Sequence, residues 1–169
     1  MGFVYEIAFD DDMIVKYTGD GAFVAEWQVV GPGAQFESDP HAVTVGPSGI
    51  LYVTDTNNHR ILRFRVDGGY LGEWGKFGQS AGELSYPSGL AMSPDNCVYV
   101  VDRLNYGIQK FTLTGEFVSL FGSKLDEAVP GDRTPSSMAT SGNEIYVLHV
   151  APRVRWFGNW NSQAAAHSN

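Results

Sequence analysis

The chain has 169 residues, 43% of them hydrophobic and 13% aromatic, which suffices for a real core in one domain or slightly more and excludes disorder over most of its length. Its 19 acidic and 11 basic side chains leave a formal net charge of −8, the wrong sign for neutralising phosphates, so nucleic acid is not an expected partner. Cys97 is the single cysteine, which excludes an internal disulfide and a thiolate metal cluster and leaves the compartment unknown. The apolar runs, such as 98–101, are too short to cross a bilayer, and the N-terminus lacks a basic stretch followed by an apolar one. A soluble chain with no signal peptide and no membrane insertion is the expectation.

Taken in chain order, the sequence repeats. Phe3, Val4 and Tyr5, then Glu26 and Trp27, open a partial copy over 3–30, with the acidic run Asp10, Asp11 and Asp12 read as a solvated turn rather than a calcium loop. A full copy over 40–75 begins with PHAVTVGPSGILYVTD at 40–55, and a second over 87–122 begins with PSGLAMSPDNCVYVVD at 87–102, aligned without a gap at an offset of 47. Ile61 and Phe64 fall on Ile108 and Phe111, Gly68 on Gly115, and Trp74 on Phe121 at the same offset. A last partial copy spans 135–157, where Ile145, Tyr146 and Val147 answer Val98, Tyr99 and Val100, and a polar tail covers 161–169.

Each full copy reads as four short strands separated by turn residues. In the second copy these are 89–92, 98–101, 108–113 and 117–121, with Thr114 and Gly115 in the last hairpin turn. The inner strands are nearly all apolar, as a sheet covered on both faces requires. In the third strand Ile108 and Lys110 lie on the opposite side from Gln109 and Phe111, so its outer position is expected to be half solvated, and Arg60 and Arg63 are expected along the blade edge with Phe64 packed between sheets. Four antiparallel strands at this period predict an all-β chain of β-propeller blades, about three and a half of them, in an incomplete ring.

These repeats resemble the NHL-repeat β-propellers. The resemblance rests on Asp55, Thr56, Asn57, Asn58, His59, Arg60 and Ile61 at the turn between the second and third strands, and on the 75–87 connection leading to Pro87. The second copy departs from the motif with Asn105, Tyr106, Gly107 and Ile108. The resemblance implies a six-bladed-like architecture of which residues 1–160 form a segment. More distantly related propellers, the peptidylamidoglycolate lyases, place zinc-binding histidines at Pro-His positions, which singles out His41 after Pro40. A catalytic zinc needs about three protein ligands, of which His41 supplies one.

Asp55 and Asp102 are read as structural caps of the turns that follow them, and Gly68, Gly115, Trp27 and Trp74 as turn and packing positions. His59, Arg60 and Tyr106 on the loops, with Trp156 and Trp160 near the irregular end, are the candidate binding residues. No phosphate cradle and no nucleophile elbow is present in the sequence. The expectation is a non-enzymatic scaffold without a cofactor, whose exposed faces and loops take a protein partner or a second copy that completes the propeller. The alternative is a metal-dependent lyase or hydrolase with zinc at His41. RNA recognition would need the local cluster Arg60, Arg63, Arg65 and Lys110 to overcome the global acidity.

Overall fold

The structure, a computed structural model, describes residues 2–122, 134–142, 144–149 and 154–157. Among them are fourteen strands, three short 3-10 turns and no α-helix. The strands form four antiparallel sheets, each made of consecutive strands. The first holds β1 (Phe3–Ala8), β2 (Met13–Thr18) and β3 (Phe23–Gln28). The second holds β4 (Val43–Val45), β5 (Ile50–Asp55), β6 (Arg60–Arg65) and β7 (Tyr70–Trp74). The third holds β8 (Pro87–Met92), β9 (Cys97–Asp102), β10 (Gly107–Thr112) and β11 (Phe117–Phe121). The fourth holds β12 (Pro135–Ser141), β13 (Glu144–His149) and β14 (Val154–Phe157).

The 47-residue offset assigns each strand a place. β1 stands where β5 and β9 stand, as the second strand of a blade, so the first sheet has no innermost strand among the described residues. The fourth sheet holds the first three places and no outermost one among the described residues. The result is two four-stranded blades flanked by two three-stranded ones.

The blades pack face to face because each buries one row of apolar side chains on either side. Between the first and second, Ile14 and Val29 meet Leu51, Val53 and Phe64; between the second and third, Tyr52, Ile61 and Trp74 meet Val98, Val100 and Phe111. Tyr99 and Ile108 meet Ile145 and Val147 in the same way. Full burial of such side chains stabilises by about 1.5–3 kcal/mol each. The outer strands lock onto the neighbouring hairpin turn. Gly68 lies under the Trp27 indole and Gly115 under that of Trp74, so close that a Cβ on Gly115 would fall 2.3 Å from Trp74 Cγ.

On β10, Gln109 is 2% exposed because its amide donates to the buried Asp102 carboxylate, while Lys110 is half-buried. An expectation about β6 is corrected. Arg60 is 5% exposed and does not lie along a blade edge; its guanidinium turns inward onto a buried carboxylate.

Candidate functional site

The turn after the second strand of each full blade is built on a buried aspartate. Asp55 receives Arg60 Nε at 2.8 Å and Asn58 Nδ2 at 2.9 Å. Arg60 Nη1 also donates to the Pro32 carbonyl at 2.7 Å and to Glu73 at 2.8 Å, tying the preceding inter-blade connection to the sheet. Asp102 receives the Ser85 N–H at 2.6 Å, Asn105 Nδ2 at 2.7 Å and Gln109 Nε2 at 2.7 Å. The second copy has Gly107 where the first has Arg60, and the donor moves two residues along β10 to Gln109, which lies on the same face. Burial pushes the Asp102 carboxyl above the usual carboxylate range, against the pull of these three donors. Both carboxylates hold turns and reach no open surface, being 0% exposed.

Asp12, His59 and Tyr106, 47 residues apart, all adopt left-handed backbone, with φ of 53°, 56° and 59°. The blade fixes the conformation there and leaves the side chain free to vary. His59 uses that freedom. Its ring packs against Phe77 at 4.6 Å and Tyr86 at 4.7 Å between centroids, and its Nδ1 accepts the Tyr86 N–H at 3.1 Å. Accepting at Nδ1 requires the neutral ring, and burial pushes the His59 pKa below 6.5 although Asp55 pulls it upward. The resulting stabilisation is present above the unfolded value and is lost as pH falls through the lower folded one. An NMR titration should place His59 below 6.5, with the Tyr86 amide exchanging faster once the ring protonates; a normal or raised His59 value would contradict this geometry.

Beside His59 opens a cleft of about 250 Å³, walled by Phe36 and Phe77 and floored by Asn58, Arg60 and Glu73. Phe36 and Phe77 are 61% and 64% exposed. Asn58 pins the Phe36 side of the cleft, accepting the N–H groups of Gln35 and Phe36 at 2.9 and 3.0 Å and donating to the Phe36 carbonyl at 3.1 Å. Lys76 on the rim is held by Glu83 at 3.0 Å and keeps that carboxyl down at about 2. The cleft therefore offers two apolar walls on a polar, hydrogen-bonded floor. Phe36 and Phe77 were not legible as binding residues, since they stand in glycine-rich connections outside the strand repeat; their size in such polar stretches is the signal that marks them.

His41 opens the second blade, with its N–H donating to Thr54 Oγ1 at 3.0 Å, its Nε2 3.3 Å from Asp39 Oδ1 and its ring edge-on to Phe9 at 5.1 Å. Among the described residues no group of three His, Cys, Asp or Glu side chains gathers to hold a metal ion, so the residues around His41 do not fit a three-ligand zinc centre. Tyr106 is half-buried on the third blade, at the place of His59 on the second. Trp156 falls on β14 in register with Tyr146, and Trp160, like the tail 161–169, lies outside the described residues.

The two end blades expose faces that the inner blades bury. Val4 and Tyr17 stand where Leu51 and Phe64, or Val98 and Phe111, lie in the full copies; Val4 is 54% exposed, whereas all four counterparts are at most 2% exposed. Phe23 extends this face at 60% exposure. On the opposite end Leu148, 47% exposed, replaces the fully buried Val101.

The fold is that of a β-propeller segment. The family model of the NHL repeat matches residues 38–64, the stretch holding His41, Asp55, His59 and Arg60, so the chain carries an NHL repeat. No curated protein sequence matches the chain. Among solved structures it is similar to a virginiamycin B lyase from Staphylococcus aureus, at 23% identity and TM-score 0.62, covering 92% of this chain and 52% of that one. It is similar to a streptogramin B lyase at 20% identity and TM-score 0.62, covering 92% and 51%. A glutaminyl cyclase from Myxococcus xanthus shares 10% identity at TM-score 0.67, covering 91% and 67%. At these identities the likeness is one of fold, and the chain spans about half the length of the lyases.

Proposed function

We propose that this chain is a non-enzymatic NHL-type propeller segment that binds protein through its open blade faces, with the Phe36–Phe77 cleft as a second contact on the loops. The observation that carries this reading is the exposure of Val4, beside a half-buried Tyr17 and an exposed Phe23, where the inner blades bury the counterparts of Val4 and Tyr17 against a neighbour. An apolar sheet face of this kind is stable in water when another sheet covers it. Without a foreign partner, the covering sheet is that of a second copy.

Light scattering on the purified chain should therefore give at least twice the single-chain mass, and the double substitution Val4→Lys with Phe23→Lys should return it to one chain. A monomeric wild-type particle would count against the reading. The lyases named above suggest a catalytic alternative through His41. It requires ligands beyond Asp39 and His41, and stoichiometric tightly bound zinc in the purified protein would reinstate it.

A further inference from the structure

The cleft beside His59 has a carboxylate in its floor with one oxygen unengaged. The Glu73 side chain lines the cleft and is 34% exposed. Its Oε2 takes Arg60 Nη1 and the Tyr70 hydroxyl, each at 2.8 Å, while its Oε1 accepts no hydrogen bond among the described residues. The Asn57 side-chain amide, also lining the cleft, has no partner among them either. The two cations of the cleft are already engaged. Arg60 is shared between Asp55, Glu73 and the Pro32 carbonyl, and Lys76 is held by Glu83. Asp55, Arg60 and Glu73 together leave the floor one negative charge in excess, and the Lys76–Glu83 pair on the rim adds none.

Phe36 and Phe77 set two aromatic rings beside that charge, both more than half exposed. A guest that covers the rings also covers Glu73, and an apolar guest strips water from Oε1 without replacing its hydrogen bonds. An anion meets the same carboxylate with no unengaged cation to offset it. The group that suits rings and carboxylate together is flat, weakly hydrated on its faces, and positively charged with N–H donors at its edge, which describes a guanidinium. The surroundings carry the same sign. Glu37, next to Phe36, is exposed and stands in none of the described ion pairs. Burial pushes the Asp12 carboxyl above the usual carboxylate range, and the fields of Asp39 and Glu37 push it further, so these carboxylates gather on the Phe36 side and draw cations towards it.

We infer that the Phe36–Phe77 cleft takes an arginine side chain of a partner polypeptide, its guanidinium stacked on the rings and donating to Glu73 Oε1 and to the Asn57 side-chain oxygen. The volume of about 250 Å³ has room for one side chain of this length. Lysine is the poorer guest, because its ammonium is compact, strongly hydrated and unable to stack. This inference rests on the cleft contact in the reading above and names what that contact takes.

The test titrates the whole chain with the heptapeptide GSARASG and follows amide chemical shifts by NMR. Shifts at Asn57, His59 and Phe77 should saturate with a dissociation constant of about 1 mM or below. Citrulline in place of the arginine, which keeps the shape and removes the charge, should weaken binding about tenfold, and lysine about threefold. Glu73→Gln keeps an oxygen for Arg60 and Tyr70 and should erase the preference for arginine over citrulline. Phe36→Ala should weaken the arginine peptide about fivefold and leave the unfolding midpoint unchanged. Absence of saturable shifts at the cleft, citrulline or lysine binding as tightly as arginine, or a preference indifferent to Glu73→Gln would each overturn the inference. If the peptide fails while the particle still self-associates through Val4 and Phe23, the arginine inference falls and the binding reading stands. A single-chain particle that takes the arginine peptide supports the inference and removes the open-face reading.

Discussion

Arg60→Ala should lower the unfolding free energy by about 3–5 kcal/mol, because it leaves a buried carboxylate without its cation. Asp55 is 0% exposed and its Oδ2 has Arg60 Nε at 2.8 Å, while the same guanidinium binds Glu73 and the Pro32 carbonyl. Removing it strips charge-assisted bonds from three groups at once. The double variant Asp55→Leu with Arg60→Met should recover much of the loss, since well-packed apolar replacements of a buried pair come out near neutral. Gln109→Ala on the next blade removes one of three donors from Asp102 and should cost less, about 1.5–3 kcal/mol. Denaturant unfolding measures all three. A cost for Arg60→Ala below that of Gln109→Ala would mean that Asp55 finds water or another donor when the arginine is gone.

The second large effect concerns three glycines at one place in the repeat. Gly21, Gly68 and Gly115 have φ of 90°, 89° and 93°, so alanine at any of them strains the backbone by a similar amount, about 1–2 kcal/mol. Their surroundings differ. A Cβ on Gly21 meets nothing within 4 Å, one on Gly68 comes to 3.0 Å of the Trp27 ring, and one on Gly115 to 2.3 Å of Trp74 Cγ and 2.5 Å of its Cβ. The Trp74 atoms sit at the root of the side chain and cannot swing away, so Gly115→Ala adds a packing cost of about 1–3 kcal/mol to the strain. Stability losses should rank Gly115 above Gly68 above Gly21. Equal losses at the three sites would show that the interlock between outer strand and turn carries no energy. If the first blade is covered by another sheet in the assembled particle, Gly21→Ala should also weaken self-association.

The sequence revealed the blades because their construction is local: a hairpin needs its turn glycine and its alternating strands within a dozen residues, and both recur at a fixed offset. It did not reveal Gln109, because the partner of Asp102 shifts by two residues between copies and no repeat alignment sets Gln109 opposite Arg60. Arg60 was misplaced for a related reason. An arginine in a strand is ordinarily half-solvated, and only the fold brings Asp55, Glu73 and the Pro32 carbonyl around it. The cleft was half legible. His59 stood out in the NHL motif, whereas Phe36 and Phe77 meet it only after the two inter-blade connections fold towards the same turn.

Every sheet is assembled from strands adjacent in the chain, and no ladder joins one sheet to another among the described residues. Backbone pairing is therefore short-range, which favours rapid formation of each hairpin, and cooperativity passes between units only through their side-chain contacts. Such a molecule can gain or lose a whole unit without cutting a ladder, so evolution can alter its curvature and reach by duplication while leaving the hairpins that remain as they were.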